Sequence, residues 1–281
     1  MRGGARPPRT FLQGIGSASG IGKAAAVDDD LTIRGSLQEA MGGVSRGLAQ
    51  ADRLCVACVD LLGVDGAAVS VIHEGSSRGT FGSSGELSRD LEDFQFTFGE
   101  GPCLEASRRA LPVLVADLSD PGEARWPAYG AAVLQRGIRA IFALPVVAAS
   151  VGLGSLDLYR HGPGPLSIED MAGALVAAEL AALPLLDLMT ADVDWGAIVD
   201  DGDHWEQLAS LERVEVYQAT GMIMGQLGVG PAEALVRIRA HAFVSGRSAS
   251  EVAWSIIEQR LTLEADAGGT AREDPESGGA R

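Results

Sequence analysis

Three cysteines are the residues of this chain whose type and spacing first suggest redox or metal chemistry. Cys55 and Cys58 are separated by two residues and Cys103 stands alone, an odd number that is typical of a reducing compartment. A zinc site would need two more ligands, and the histidines are scattered along the chain, at His73, His161, His204 and His241. Because Cys55 and Cys58 lie within an apolar helical pattern, we interpret them as small core residues and predict no metal site.

The segment from Gly16 to Gly22 has the glycine spacing of a nucleotide-binding loop. It resembles the loop of short-chain dehydrogenases, which requires a strand before it and a helix after it. Prolines lie directly upstream, only residues 10–12 remain for a strand, and no Tyr-x-x-x-Lys pair follows. Ala24 after Lys23 also excludes a P-loop, which needs Ser or Thr there. We therefore predict a disordered leader over residues 1–35, or a start codon assigned too early.

Six acidic residues between Asp192 and Glu206 form the third candidate site. Clustered carboxylates can hold a cation or include a phosphoacceptor, but a phosphoacceptor follows a strand in an α/β fold with a partner lysine. Neither feature accompanies this run, so we interpret it as a solvated linker. No Ser–His–Asp order, metal cluster or phosphate loop is present either. The sequence therefore predicts no catalytic residues and no enzyme.

Three amphipathic helices are predicted to position the remaining candidate residues, over residues 211–263. The first is interrupted at Gly228 to Gly230, Pro231 begins the second, Gly246 ends it, and Ser248 or Ser250 caps the third. A unit of about 50 residues has a small core, so it should pack on another helix or on a second copy of itself. The predicted apolar faces are Val214, Tyr217, Met222, Ile223 and Leu227; Ala234, Leu235, Ile238, Ala242 and Phe243; and Val252, Ala253, Ile256, Ile257 and Leu261.

A set of residues in this segment matches a known motif: Arg213, Val216, Ala219 to Met224, Glu233-Ala234, Ile238-Arg239 and Ala242-Phe243. Together they resemble the ANTAR domain, a three-helix module that binds structured RNA in bacterial antitermination regulators. Thr220 stands where that family usually has lysine, and Leu235 where it usually has an aromatic residue. Both differences would weaken RNA contact if the two residues face the RNA. The resemblance implies RNA hairpins as partners and action as a homodimer.

The arginines of this segment are the candidate phosphate contacts. The whole chain has a formal net charge of −16, which argues against a nucleic-acid-binding surface and makes DNA an unlikely partner, but the segment itself is nearly neutral. We expect Arg237, Arg239 and Arg247 to contact phosphates, and the resemblance implies that Tyr217, Ala219 and Gly221 shape the RNA surface. A solvated helix face is the alternative for all of them, and Tyr217 could instead belong to the core.

The segment before the linker predicts an α+β domain with an antiparallel sheet flanked by helices. A long amphipathic helix runs from residue 36 to 63, and a hairpin with a turn at residues 75–79 joins strands 67–73 and 80–83. Further helices are predicted at residues 86–94, 126–135 and 167–189, and another begins at residue 102. Further strands are predicted at residues 112–116, 140–148 and 154–159. The sequence contains no uninterrupted run of 18 or more apolar residues, so no membrane span is predicted.

Several residues of this domain match a second motif: Gln95, Gly99 to Ala106, Trp126-Pro127, Gly137-Ile138, Pro145-Val146 and Gly154 to Tyr159. They resemble an actinobacterial GAF domain over residues 38–188. The resemblance implies a small-molecule sensor, but GAF ligands are diverse, the Asn-Lys-x-Asp motif of nucleotide-binding members is absent, and the cofactor is unknown. Candidate ligand-pocket residues, for which core packing is the alternative, are Phe94, Phe98, Cys103, Trp126, Tyr129 and Phe142.

These observations predict five segments: a leader (1–35), a GAF sensory domain (36–189), an acidic linker (190–205), an ANTAR RNA-binding domain (206–263) and a disordered tail (264–281). The leading hypothesis is a cytoplasmic, signal-responsive regulator that binds hairpins in nascent RNA and acts in transcription antitermination. The alternative is a ligand or redox sensor whose output is protein–protein contact, with RNA binding lost.

Overall fold

A computed structural model describes residues 32–43, 47–73, 76–190 and 213–263. Its helices are α1 (residues 32–41), α2 (Leu48–Leu61), α3 (Glu86–Phe98), α4 (Pro102–Arg109), α5 (Pro127–Gln135), α6 (Ile168–Thr190), α7 (Val214–Leu227), α8 (Pro231–Ser245) and α9 (Ala249–Ile257). Its strands are β1 (Gly66–His73), β2 (Ser76–Ser83), β3 (Val113–Val115), β4 (Ala140–Ala148) and β5 (Val151–Arg160). The fold is α+β, as predicted. The glycine-rich loop at residues 16–22, the linker run 192–206 and the predicted tail lie outside the described residues.

The five strands form one antiparallel sheet in the order β2-β1-β5-β4-β3. The central strand β5 pairs with both β1 and β4, with Leu156 opposite Val69 on one side and Leu144 on the other. Gly154 allows this close approach, because a Cβ there would lie 1.9 Å from the Ser70 carbonyl oxygen. The sheet therefore brings the predicted strands of the domain into a single layer.

Helices cover both faces of the sheet, so the domain has two separate cores. Residues from α2, α6 and one face of β1, β4 and β5 form the first core, including Phe142 and Leu156. Residues from α3, α5 and the opposite face form the second, including Phe94, Tyr129 and Tyr159. Successive strand residues point to opposite faces, which is why neighbours such as Ile141 and Phe142 enter different cores.

The predicted long helix from residue 36 to 63 is wrong, because the chain forms two helices there. Helix α1 ends at residue 41 and α2 begins at Leu48. Gly43 and Gly47 have φ values of 134° and 66°, a region that favours glycine and interrupts a helix. The apolar spacing continues across the break because α1 and α2 contribute to the same core.

The helices α7, α8 and α9 enclose a third core made of small and β-branched residues. It contains Ala219 and Ile223, Ala234 and Ile238, and Val252 with neighbours of α9. The predicted face of α7 is partly wrong, because Val214 and Tyr217 are 41% and 56% exposed and Val216 and Ala219 are buried instead. On α8, Phe243 is 57% exposed. None of the described helices is long and apolar enough to cross a membrane.

Candidate RNA-binding surface and buried carboxylate cluster

The six candidate RNA-binding residues do not share one exposed face. Tyr217 and Gly221 are exposed on α7, whereas Ala219 is fully buried in the core of the three helices. Arg237 forms an ion pair with Glu233 one turn earlier. Arg247 donates to the Glu251 carbonyl oxygen and, at 2.7 Å, to the Ser255 hydroxyl.

The sixth candidate, Arg239, packs against an aromatic ring of the preceding domain. Its guanidinium carbon lies 4.7 Å from the centroid of the Phe96 ring, and that of Arg213 lies 4.2 Å from the same centroid. Phe96 is on α3, so the two arginines enclose a side chain that projects from the sheet domain. Each such contact is worth about 0.5–2 kcal/mol, depending on how far it is removed from water.

Further contacts hold α3 against the last three helices. The Thr97 hydroxyl accepts a hydrogen bond from the Ala249 N–H at 2.8 Å and donates one to the Asp93 carbonyl oxygen. The Asp93 carboxylate forms an ion pair with Arg213. Phe98 meets Phe243 edge to face, with 5.8 Å between ring centroids. One face of α3 is thus an interdomain contact that we name the docking face: Asp93, Phe96, Thr97 and Phe98.

This contact leaves polar atoms without partners. Among the described residues, Nε and Nη2 of Arg213 and Nε of Arg239 are buried and have no hydrogen-bond partner. Each buried, unpaired donor costs about 1–3 kcal/mol. Burial also lowers the pKa of Arg239, and the nearby Arg213 charge lowers it further. The docked arrangement therefore combines favourable ring contacts with an internal electrostatic cost.

The two residues that differ from the usual family pattern lie against the core rather than on an open surface. Thr220 is 7% exposed, and its hydroxyl donates to the Val216 carbonyl oxygen at 2.7 Å. Leu235 is partly buried against the core of the three helices. In this arrangement neither position is a free RNA contact.

The predicted ligand-pocket residues fall in three different places. Phe94, Trp126 and Tyr129 belong to the core between the sheet and helices α3 and α5. Phe98 stacks on Phe94, and Cys103 is buried in a small cluster with Ile72 and Leu104. Phe142 does not lie with the other predicted pocket residues. It belongs to the core on the opposite face of the sheet, together with α2 and α6.

Cys103 belongs to a group of buried polar residues, and Tyr129 lies near it; the other members of the group were not predicted as site residues. We name it the carboxylate cluster: Glu92 and Gln95 of α3, Cys103 of α4, and Asp157 of β5. The Gln95 amide nitrogen donates to Asp157 at 2.7 Å and to Glu92 at 3.0 Å, and its oxygen accepts from the Cys103 N–H at 2.9 Å. Gln95 therefore ties α3 to both α4 and β5.

The carboxylates have neutral partners. Glu92 accepts hydrogen bonds from the hydroxyls of Ser70 and Tyr159, and Asp157 accepts one from Ser155 at 2.5 Å. Burial and the neighbouring Glu92 charge raise the pKa of Asp157 well above its usual value, which favours its protonated form. Burial, with the same two carboxylates, also raises the pKa of the Cys103 thiol.

The signal that could have identified this cluster is the spacing of β5. Ser155, Asp157 and Tyr159 alternate along the strand, and alternation normally indicates a solvent-facing side. Here both faces of the sheet are covered by helices, so the polar face points at α3. Gln95 and Asp157 were part of the motif that carries the GAF resemblance, but they were not selected as site residues.

Comparisons with known families agree with the two-domain arrangement. The family model of the GAF domain matches residues 50–184, and that of the ANTAR domain matches residues 207–257. ANTAR domains bind RNA in antitermination, and GAF domains sense small molecules; both are regulatory domains. No curated protein matches the chain.

Solved structures with similarity to this chain include isolated GAF domains. The GAF domain of a phosphoenolpyruvate-protein phosphotransferase from Coxiella burnetii is 16% identical, covers 58% of this chain and 96% of its own, and gives a TM-score of 0.46. A type II free methionine-R-sulfoxide reductase from Thermoplasma acidophilum is 19% identical, covers 54% of this chain and 95% of its own, and gives 0.39. Similarity at this level does not assign a function.

Proposed function

We propose that this protein, which carries a GAF domain followed by an ANTAR domain, is a signal-responsive regulator that binds hairpins in nascent RNA and acts in transcription antitermination. The observation that carries the proposal is the contact of Arg239 and Arg213 with Phe96. Arg239, which we expect to contact RNA phosphates, packs against the sensory domain, so RNA binding and domain docking compete for the same side chain.

The competition gives the regulator a physical mechanism. In the docked state Arg239 packs on Phe96, and its Nε is buried without a partner. Separation of the domains would return that guanidinium to water, where Arg239, Arg237 and Arg247 could contact phosphates beside Tyr217 and Gly221. Ala219 then acts indirectly, since it is buried and sets the packing of α7. A signal in the GAF domain acts by changing the free energy of docking.

The alternative is a sensor whose output is protein contact, with RNA binding lost. It is favoured by the net charge of −16 and by the pairing of Arg237 with Glu233. Its other support, from Thr220 and Leu235, is weaker than the sequence alone suggests, because both residues pack inward.

Phe96→Ala and Arg239→Glu distinguish these functions, because they change RNA binding in opposite directions. RNA is crosslinked to the full-length protein in its host and sequenced, and hairpins recovered with the wild type serve as probes for affinity. Phe96→Ala should bind them about tenfold more tightly, since it removes roughly 1.4 kcal/mol of docking free energy. Arg239→Glu should reduce binding by at least about tenfold, because it replaces a phosphate contact with a repelling charge.

Arg108→Glu is the matched control, because it makes the same charge change at an exposed position of α4. It should leave hairpin affinity close to that of the wild type. Equal and featureless RNA recovery from the wild type and Arg239→Glu would reject the antitermination proposal and favour the protein-contact alternative.

A further inference from the structure

The carboxylate cluster has the composition of a metal site, although the sequence predicted none. Glu92, Cys103 and Asp157 each offer one ligand atom, and these three atoms lie within 4.8 Å of one another. All three residues are fully buried, each with a relative exposure of 0%. They come from α3, α4 and β5, so the cluster is assembled by the fold and not by one local sequence motif.

We propose that Glu92, Cys103 and Asp157 bind a divalent transition-metal ion of the Zn²⁺ class inside the GAF domain. Since the three ligand atoms are at most 4.8 Å apart, some point lies within about 2.8 Å of all of them, and zinc–ligand bonds are about 2.0–2.3 Å long. Inward shifts of about 0.5–0.8 Å would bring all three ligand atoms to bonding distance.

The charge of the cluster also favours a cation. Two carboxyl groups lie together in the interior, and their hydrogen-bond partners in the structure are neutral: Ser70, Gln95, Ser155 and Tyr159. Carboxylates removed from water are stable only when they are neutralised by a proton, a basic group or a metal ion. A dication neutralises both carboxylates at once.

The hydroxyl of Tyr129 independently points to a ligand at this cluster. This hydroxyl is buried and has no hydrogen-bond partner among the described residues, and the side chain is 0% exposed. Burial and the nearby Glu92, Asp157 and Cys103 raise the pKa of this phenol, so the ring lies close to the cluster. Leaving a buried hydroxyl unpaired is unfavourable. A fourth ligand on the metal, such as a water molecule, would give this hydroxyl a partner.

The donor set determines the class of metal. Ca²⁺ and Mg²⁺ prefer oxygen ligands alone, whereas a thiolate selects zinc and related transition metals. Gln95 fits a supporting role, because it donates to both carboxylates and accepts from the Cys103 N–H, and so fixes the three ligands relative to one another.

The test measures metal binding by the full-length protein with Zn²⁺ and Co²⁺ alone as probes. The protein is stripped with a chelator and dialysed against each metal, and its metal content and Co²⁺ spectrum are recorded. We expect about one ion per chain, from the one such cluster among the described residues, and a cobalt–thiolate charge-transfer band. Cys103→Ser should abolish the band, and Asp157→Asn should weaken binding by about 100-fold or more, since even supporting residues cost 10–100-fold.

Cys58→Ser is the matched control, because Cys58 is an equally buried thiol in the core on the other face of the sheet. It should retain the ion and the band. Circular dichroism shows which variants are folded. Substoichiometric metal in the folded wild type would overturn the proposal, and so would an unchanged cobalt band in folded Cys103→Ser. If that variant does not fold, unchanged affinity in folded Asp157→Asn has the same consequence. Because RNA is absent from this test, the outcome does not depend on the proposed function.

Discussion

At the scale of single residues, Gly101 is the position that allows the carboxylate cluster to form. It precedes α4 with φ 145° and ψ 168°, a conformation that is essentially restricted to glycine. A Cβ there would lie 2.3 Å from the Gln95 side-chain oxygen, which accepts the hydrogen bond of the Cys103 N–H. The glycine therefore serves both the backbone turn and the close approach of α3 to α4.

Gly101→Ala should destabilise the protein by about 2–4 kcal/mol, because it adds backbone strain and displaces a buried amide with several hydrogen bonds. Chemical denaturation of the full chain measures the change in the free energy of unfolding. Gly130→Ala in α5 is the matched control, since its Cβ would meet nothing within 4 Å. That change should be neutral or stabilising by up to about 1 kcal/mol. Equal stability of the two variants would contradict the assigned role of Gly101.

The sequence alone pointed to two residues at or near the carboxylate cluster. Cys103 and Tyr129 were selected as pocket residues, and both lie at the carboxylate cluster. Asp157 was missed because a carboxylate in an alternating strand pattern normally indicates a solvated face, and Glu92 because a glutamate on a helix is normally exposed. Their burial results from the second layer of helices, and single-sequence periodicity contains no information on how two layers pack.

At the scale of elements, α3 connects the two candidate sites. Glu92 and Gln95 face the sheet, whereas Asp93, Phe96 and Thr97 face the last three helices. Residues three and four apart lie on one side of a helix, so Glu92 and Gln95 form one side, and Asp93 with Phe96 and Thr97 forms another. A shift of α3 driven from the carboxylate cluster would therefore be transmitted directly to the docking face.

The sequence predicted α3 only as far as Phe94, so three of the four docking-face residues lay outside the predicted helix. The helix continues to Phe98 and ends at Gly99, which has φ 66°. A left-handed glycine after the last turn is the usual end signal, and it was present in the sequence. By contrast, the sequence predicted Ser248 or Ser250 as the cap of α9, and Ser248 is confirmed. Its hydroxyl and Glu251 form a capping box. Local signals located helix ends better than they located interdomain contacts.

Because α3 links the domains, Phe96→Ala should uncouple their unfolding. In the wild type, we expect the ANTAR helices to unfold together with the GAF domain in a single calorimetric transition, since Arg213, Arg239 and Thr97 join them. The variant should show a separate, lower-temperature transition for the ANTAR helices. Loss of about 1–2 kcal/mol of contact free energy is sufficient, because a unit of this size has little stability of its own.

Leu114→Ala is the control for calorimetry, since Leu114 is 49% exposed on the edge strand β3. That strand is at the opposite edge of the sheet from β2 and β1, against which α3 packs. It should leave one transition. Two separate transitions already present in the wild type would mean that the docking face does not couple the domains.

At the scale of the whole molecule, the domain architecture was the most predictable property. Motif residues spread over both domains carried the family resemblance, and the family models match the same two regions. The relation between the domains was not predictable, because it depends on three-dimensional proximity of Phe96 and Arg239, which are far apart in sequence. Under the proposed function, a net charge of −16 makes contact with RNA dependent on which arginines the docking leaves accessible.

The homodimer implied by the family resemblance is a proposal at this same scale, and α6 offers a surface for it. Leu175 and Leu183 are 50% and 58% exposed, and Glu179 lies between them at four-residue spacing, so the two leucines share one helical face. We expect the full chain to be dimeric by light scattering at micromolar concentration. The double variant Leu175→Glu with Leu183→Glu should be a folded monomer, because four glutamates would meet across a symmetric contact. Leu114→Glu is the control for the charge itself and should remain dimeric. A monomeric wild type would reject the dimer, and a dimeric double variant would exclude α6 as its interface.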